Sequence, residues 1–116
     1  MRFISLGFAA MVAFVALAAL AVSTFGATRA NTLTGTDGPG YTITMSKKSV
    51  KAGTYTITIH DRASIHDFHL TGPGVNKATS VQAVSTTKWT VKLKKGTYHF
   101  VCDPHKAIMH GILKVS

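Results

Sequence analysis

The chain has 116 residues, of which 46% are hydrophobic, and its 13 Lys and Arg against 4 acidic residues give a formal net charge of +9. Its single cysteine excludes an internal disulfide, a c-type haem attachment and a binuclear copper site built on two cysteines. No nucleic-acid-binding motif accompanies the positive charge, so nucleic acid is not expected as a partner.

The first part of the chain is a targeting segment. Arg2 precedes residues 3–22, which are almost all apolar, and small residues follow. This order is typical of a secretory signal, with cleavage expected after Ala27 or Ala30. A run of about 20 apolar residues can also span a bilayer, so residues 1–30 are either a signal peptide or a retained membrane anchor. Both alternatives predict export to a periplasmic or extracellular site.

The rest of the chain predicts an all-β domain. Residues 31–40 are rich in glycine and are expected to form a linker, whereas residues 41–116 alternate between apolar and polar side chains and are interrupted by Gly and Pro. Several short strands with such breaks indicate a β-sandwich. The predicted strands cover residues 41–45, 54–59, 66–70, 88–94, 97–102 and 111–115. Trp89 and Tyr98 are expected in the core, and His60, His69 and His99 on the solvent side.

The strongest chemical signal is the lone cysteine and the residues that follow it. Cys102 is the last inward position of a strand, and His105 and Met109 follow on one short loop. A thiolate, an imidazole and a thioether are the soft ligands that copper prefers. A lone cysteine in an exported protein is either a free thiol or a ligand, and these neighbours favour a ligand. His110 is an alternative to Met109 as a harder ligand.

A second histidine ligand is expected from upstream. His66 is the first inward position of its predicted strand and is followed on the same face by Phe68 and Leu70. If this strand lies beside the one that ends at Cys102, the two side chains meet at one end of the sandwich. Pro104 restricts the loop that folds over them.

At these residues the chain resembles the cupredoxins, the blue copper proteins similar to plastocyanin and azurin. The resemblance rests on Cys-x-x-His-x-x-x-Met followed by x-Gly, on an upstream His-x-Phe, and on the Gly-Thr-Tyr-x-Phe-x-Cys lead-in. It implies a Greek-key β-sandwich with one copper ion that cycles between Cu(I) and Cu(II). The implied ligands are His66, Cys102, His105 and the axial Met109. The implied function is one-electron transfer without enzymatic activity, with His105 as the port for electron exchange.

One departure from the family pattern concerns the residue after the first ligand histidine. Asp67 stands where the family usually has Asn, and Asp103 follows Cys102. Two nearby carboxyls are expected to raise one another's pKa and, when ionised, to favour Cu(II) and lower the reduction potential.

Rival functions follow from the same residues. The six histidines, with His99 and His110 flanking the loop, favour a copper-handling protein that stores or delivers the metal. Structural zinc is a further alternative, although zinc gains little from a thioether. For the carrier, the expected partners are redox proteins, with acidic ones favoured by the basic surface. The protein is expected to be a monomer, with a membrane tether through residues 3–22 if the anchor is retained.

Overall fold

A computed structural model of the protein describes residues 31–116, together with residue 16 and residues 18–21. Apart from these few positions, the expected signal or anchor of residues 1–30 lies outside the described residues. Within the part of the chain that is described, no helix has both the length and the apolar character needed to cross a bilayer.

The described domain is a sandwich of two sheets, which confirms the all-β prediction. One sheet has the order β2-β1-β4-β7 and the other β3-β9-β8-β5-β6. A short 3-10 turn at Asp103–His105 separates the last two strands. The strands are β1 (Asn31–Asp37), β2 (Ile43–Met45), β3 (Ser49–Val50), β4 (Gly53–Asp61), β5 (His69–Gly72), β6 (Val75–Ala78), β7 (Ser85–Leu93), β8 (Gly96–Val101) and β9 (His110–Val115).

The prediction of a linker at residues 31–40 is wrong, because most of that segment is β1. This strand pairs in parallel with β4 and antiparallel with β2. Leu33 is buried, and a Cβ at the next inward position, Gly35, would lie 2.7 Å from side-chain atoms of both Ile59 and Phe68. Gly35 is therefore a strand residue whose missing side chain leaves room for Ile59 and Phe68, and it does not interrupt the strand.

The core follows from the period-two alternation of the strands. Inward side chains of β4 and β7 from one sheet pack against those of β8 and β9 from the other. Trp89 and Tyr98 are 9% and 0% exposed, which confirms their predicted place in the core. Phe68 stacks on Phe100 with ring centroids 5.6 Å apart. This aromatic layer lies directly beneath the candidate site.

Strand register gives the sandwich two distinct ends. Asp37 is the register partner of Asp61, and Val101 is the partner of both His69 and His110. These residues belong to one end, which we call the site end. The opposite end, which we call the lysine end, contains the pairs Gly53 with Leu93 and Gly96 with Val115, and the β7–β8 turn.

Candidate metal centre

Three metal-ligating side chains converge at the site end. The Nδ1 atoms of His66 and His105 lie 3.1 Å apart, and Sγ of Cys102 lies 3.6 Å from the first and 3.4 Å from the second. One potential ligand atom from each residue lies within 4.8 Å of the others. The expected meeting of His66 with the Cys102 loop is therefore present in the structure.

His66 reaches this cluster from a loop and not from a strand. The sequence predicts a strand over residues 66–70, but in the structure the strand begins at His69. The residues before it form other hydrogen bonds. The N–H of His66 donates to the carbonyl of Ala63 at 3.3 Å, and the N–H of Phe68 donates to Oγ1 of Thr79 at 2.9 Å. His66 is nevertheless completely buried, so packing restricts the imidazole even though it lies on a loop.

The loop after Cys102 is closed by its own backbone. The N–H of His105 donates to the carbonyl of Cys102 at 3.0 Å, and the N–H of Met109 donates to the carbonyl of His105 at 2.9 Å. The N–H of Cys102 donates back to the carbonyl of Met109 at 3.0 Å. This tight turn returns Met109 to a fully buried position beside the cysteine.

His110 faces away from this buried position. It is exposed, and its Nδ1–H donates to the carbonyl of Lys106 at 2.8 Å. His60 is half-buried beside Oγ1 of Thr86, and His99 is exposed on β8. None of the three belongs to the cluster formed by the described residues.

Asp67 connects the two ligand-bearing loops. Its side chain is 2% exposed, and its Oδ1 accepts a hydrogen bond from the N–H of Asp103 at 2.6 Å. Burial, together with the neighbouring Asp103 carboxyl, raises the pKa of Asp67. An aspartate can thus accept the loop-pinning bond, and as a protonated acid it can also donate one.

The expectation that the two carboxyls raise one another's pKa is wrong for Asp103. Burial acts to raise its pKa, but hydrogen bonds from Asp67 and His69 outweigh burial and lower it. Nδ1 of His69 lies 2.9 Å from Asp103, and its Nε2 lies 2.7 Å from Oδ1 of Asn76. These two bonds raise the pKa of His69. His69, expected on the solvent side, is therefore half-buried and orients Asp103.

The cluster has the chemistry of a cation site. Two imidazole nitrogens and a sulfur face one another within contact distance, and lone pairs in such an arrangement repel unless a proton or a metal lies among them. Burial raises the pKa of the Cys102 thiol, so a metal cation is needed to hold it as thiolate. The set of one thiolate and two imidazoles, with a buried thioether nearby, fits copper better than the oxygen-seeking Mg²⁺ or Ca²⁺.

Sequence reasoning missed the contribution of the β1–β2 loop. The ring of Tyr41 lies edge-on to His66 and His105, with centroid distances of 5.4 and 5.0 Å, and is 56% exposed. Gly38 has a φ of +69°, and a Cβ there would lie 3.1 Å from Cδ2 of His66. The Gly-Pro-Gly turn before Tyr41 is visible in the sequence, but nothing local shows which loop it touches.

A buried pair of carboxyls below this loop was also missed. Asp37 and Asp61 are 0% and 2% exposed and are register partners across β1 and β4. Asp61 accepts hydrogen bonds from Ala63 N–H at 3.3 Å and from Thr79 Oγ1 at 3.5 Å. Burial and the neighbouring Asp61 carboxyl raise the pKa of Asp37 to about 8, and neither oxygen of Asp37 has a hydrogen-bond partner among the described residues. Asp37 thus keeps its proton at neutral pH.

Comparison with known proteins gives the same fold and family. The family of copper-binding proteins described as plastocyanin/azurin matches residues 27–116. Reduced rusticyanin superposes with a TM-score of 0.57 at 21% identity, over 73% of this chain and 78% of its own. Auracyanin A, a blue copper protein of Chloroflexus aurantiacus, gives 0.52 at 16% identity, over 76% of this chain and 100% of its own. No curated protein sequence matches significantly.

Proposed function

The chain belongs to the plastocyanin/azurin family of copper-binding proteins, and on that premise we propose that it is an exported one-electron carrier. The family match confirms the resemblance to cupredoxins. The proposed ligands are His66, Cys102, His105 and an axial Met109. The proposal rests on one observation: potential ligand atoms of His66, Cys102 and His105 lie within 4.8 Å of one another at one end of the sandwich.

The protein contributes rigidity to such a site. Copper, when bound, would supply a Cu(I)/Cu(II) couple that exchanges single electrons. His66 and Cys102 are completely buried, and Asp67 ties their two loops together. Ligands held by a packed core and by backbone hydrogen bonds move little, which keeps the reorganisation on electron exchange small.

His105 is the group that a redox partner would approach. It is the only one of the three clustered side chains that is not fully buried. Exposed apolar side chains, Tyr41, Ile65 and Ile108, occupy the same end of the sandwich. An apolar rim around a half-exposed ligand is suited to brief docking with a partner protein.

For the axial position, burial favours Met109 over His110. Met109 is 0% exposed and hydrogen-bonded through its backbone to Cys102, whereas His110 is exposed and bonded to Lys106. Met109→Leu should therefore shift the reduction potential, since the axial ligand tunes it. His110→Ala should leave the potential unchanged. A shift in His110→Ala alone would assign the axial position to His110.

The direct test is the visible spectrum of the protein after addition of Cu(II). A thiolate–copper site should give an intense blue colour, which Cys102→Ala should abolish and the control His99→Ala should retain. A colourless copper complex in the unsubstituted protein would overturn the proposal. Colourless binding of zinc in preference to copper would instead support a structural site.

Copper storage or delivery is the alternative function, suggested by the six histidines. Burial of Cys102 and His66 favours retention of the metal over its exchange. A carrier should show a reversible voltammetric wave and slow loss of copper to a chelator. Rapid transfer of copper without a reversible wave would identify a copper-handling protein.

A further inference from the structure

The positive charge of the domain is concentrated at the lysine end. The β7–β8 turn contributes adjacent lysines, Lys92 lies opposite Thr54, and Lys114 lies opposite Ser49. All of these side chains are exposed, and no ion pair involves them among the described residues. The lysines of this end are Lys47, Lys48, Lys51, Lys92, Lys94, Lys95 and Lys114.

The acidic side chains all lie at the other end. Asp37 and Asp61 end their strands there, and Asp67 and Asp103 surround the metal cluster. Arg62 and Lys106 lie at the site end, Lys77 lies opposite Leu70, one position from that end, and Lys88 lies midway along β7. The domain is thus strongly polarised along its strands.

The chain enters the sandwich at the lysine end. Parallel pairing of β1 with β4 places Asn31 beside Tyr55, near the start of β4. Asn31 lines the same surface depression as Lys47 and Lys51. The apolar residues 3–22 precede Asn31 in the sequence. The exposed lysines therefore lie at the end where the described domain begins, and a segment apolar enough to lie in a bilayer precedes that point in the sequence.

We infer that the lysine end lies against an anionic lipid surface, with the site end directed away from it. Clusters of lysines beside a membrane-held segment are attracted to negatively charged lipid headgroups. This attraction acts within a Debye length, about 8 Å at physiological ionic strength. The domain fits it because its opposite end attracts such a surface much less: only Arg62 and Lys106 are basic there, and the nearby aspartates offset their charge.

An acidic protein is the competing occupant, and the surface chemistry disfavours it. Protein docking sites have an apolar or aromatic centre. The exposed large hydrophobic residues of the described domain lie at the site end or, like Ile112 opposite His99, midway along a strand. The lysine end has positive charge but no apolar or aromatic centre. Such a surface suits anionic lipid headgroups better than a protein partner. The proposal does not depend on copper binding.

Site-resolved amine labelling of the full chain in lipid vesicles tests this orientation. The protein is reconstituted into phosphatidylcholine vesicles with or without phosphatidylglycerol, and each lysine is followed by mass spectrometry. With phosphatidylglycerol, labelling of Lys95 and Lys114 relative to Lys88 should fall about fivefold. At about 1 M salt, where the Debye length is about 3 Å, the protection should disappear.

Matched charge variants provide the control. Lys47→Gln, Lys51→Gln and Lys95→Gln together should abolish the protection of Lys114. Arg62→Gln, Lys77→Gln and Lys106→Gln remove the same charge, keep Lys88 as the reference, and should leave the protection of Lys114 intact, with Lys92 labelling also still reduced. Equal labelling in both lipid compositions would overturn the proposal. Protection that appears only when an acidic protein is added would overturn it as well and identify a protein partner.

Discussion

At the site end of the sandwich, polar and charged side chains are buried, whereas at the lysine end the lysine side chains are exposed and form no ion pair among the described residues. Among the described residues, the buried polar and charged side chains are Asp37, Asp61, His66 and Asp67, and all four lie at the site end. The lysine end holds most of the positive charge of the domain and none of the buried carboxyls.

The two ends differ in how their polar and charged groups affect the stability of the fold. Burying a charged or polar group lowers stability unless it is paired. At the site end, polar groups are buried around the ligand cluster despite this loss of stability, and they hold the ligands in position. Exposed lysines each change stability little, and their effect comes from their number and their shared direction. The same fold therefore carries one end whose buried polar side chains are sensitive to single substitutions and one whose exposed lysines act mainly in combination.

The largest effect is expected from Phe68, which supports the site end from below. The ring is 0% exposed, stacks on Phe100 and lies edge-on to Trp89. Phe68→Ala should lower the free energy of unfolding by about 3–5 kcal/mol, measured by urea titration of the metal-free protein. Phe68→Leu should lose clearly less. A loss below about 1 kcal/mol for the alanine variant would show that the site end is not tightly packed.

The buried carboxyl pair should make the site end sensitive to pH. Asp37 keeps its proton in the folded state until about pH 8, against an ordinary value of 3.8. Between those values the folded state binds more protons than the unfolded state. This residue therefore lowers the free energy of unfolding as pH rises, by at most about 1.4 kcal/mol per pH unit.

Asp37→Asn isolates this contribution, because the amide is close in size to the carboxyl but does not ionise. Urea titrations of the metal-free variant should show a gain in stability over the unsubstituted protein at about pH 8, and no gain at about pH 4. If the difference between the two proteins were the same at both pH values, the carboxyl of Asp37 would not carry the proton.

Tyr98 tests whether the lysine end also contains a sensitive polar group. Its hydroxyl accepts a hydrogen bond from Lys94 N–H at 2.8 Å and lies 3.1 Å and 3.0 Å from the carbonyls of Pro73 and Lys94. Tyr98→Phe should cost about 1–2 kcal/mol, since the Lys94 N–H loses its acceptor in a partly buried position. The exposed control Lys51→Gln should stay within about 0.5 kcal/mol. Equal effects of the two would show that the hydrogen bonds of the Tyr98 hydroxyl do not stabilise the lysine end.

The smallest effect is expected at Tyr41, the exposed ring beside both histidines. Edge-on aromatic contacts contribute about 0.5–1.5 kcal/mol, so Tyr41→Ala should speed copper loss to a chelator by about three- to tenfold. Tyr41→Phe keeps the ring and should lose copper slowly. Ile65→Ala, at another exposed position of the site end, is the control and should also lose copper slowly. Equal rates in Tyr41→Ala and the unsubstituted protein would show that the ring does not retain the metal.

Much of the candidate site could be predicted because its residues lie in short patterns. Cys102, His105 and Met109 follow one another on one loop, and the alternation before Cys102 shows which side chains point inward. The contributions of Tyr41 and of the Asp37–Asp61 pair could not be predicted, since they depend on the pairing of β1 with β4 and on contacts between loops far apart in the chain. The strand at residues 31–37 could not be predicted either, because the side chains that make a glycine fit at Gly35, Ile59 and Phe68, are distant in sequence.

The sequence alone determined the β-sandwich class and the ligand types, because side-chain alternation and ligand spacing are local properties of the chain. The tertiary structure decided that Asp103 is paired with His69 and has a lowered pKa, and that Asp37 retains a proton. It also decided that the lysines collect at the end where the chain enters. These outcomes depend on strand register and burial, which bring together groups that no local pattern connects.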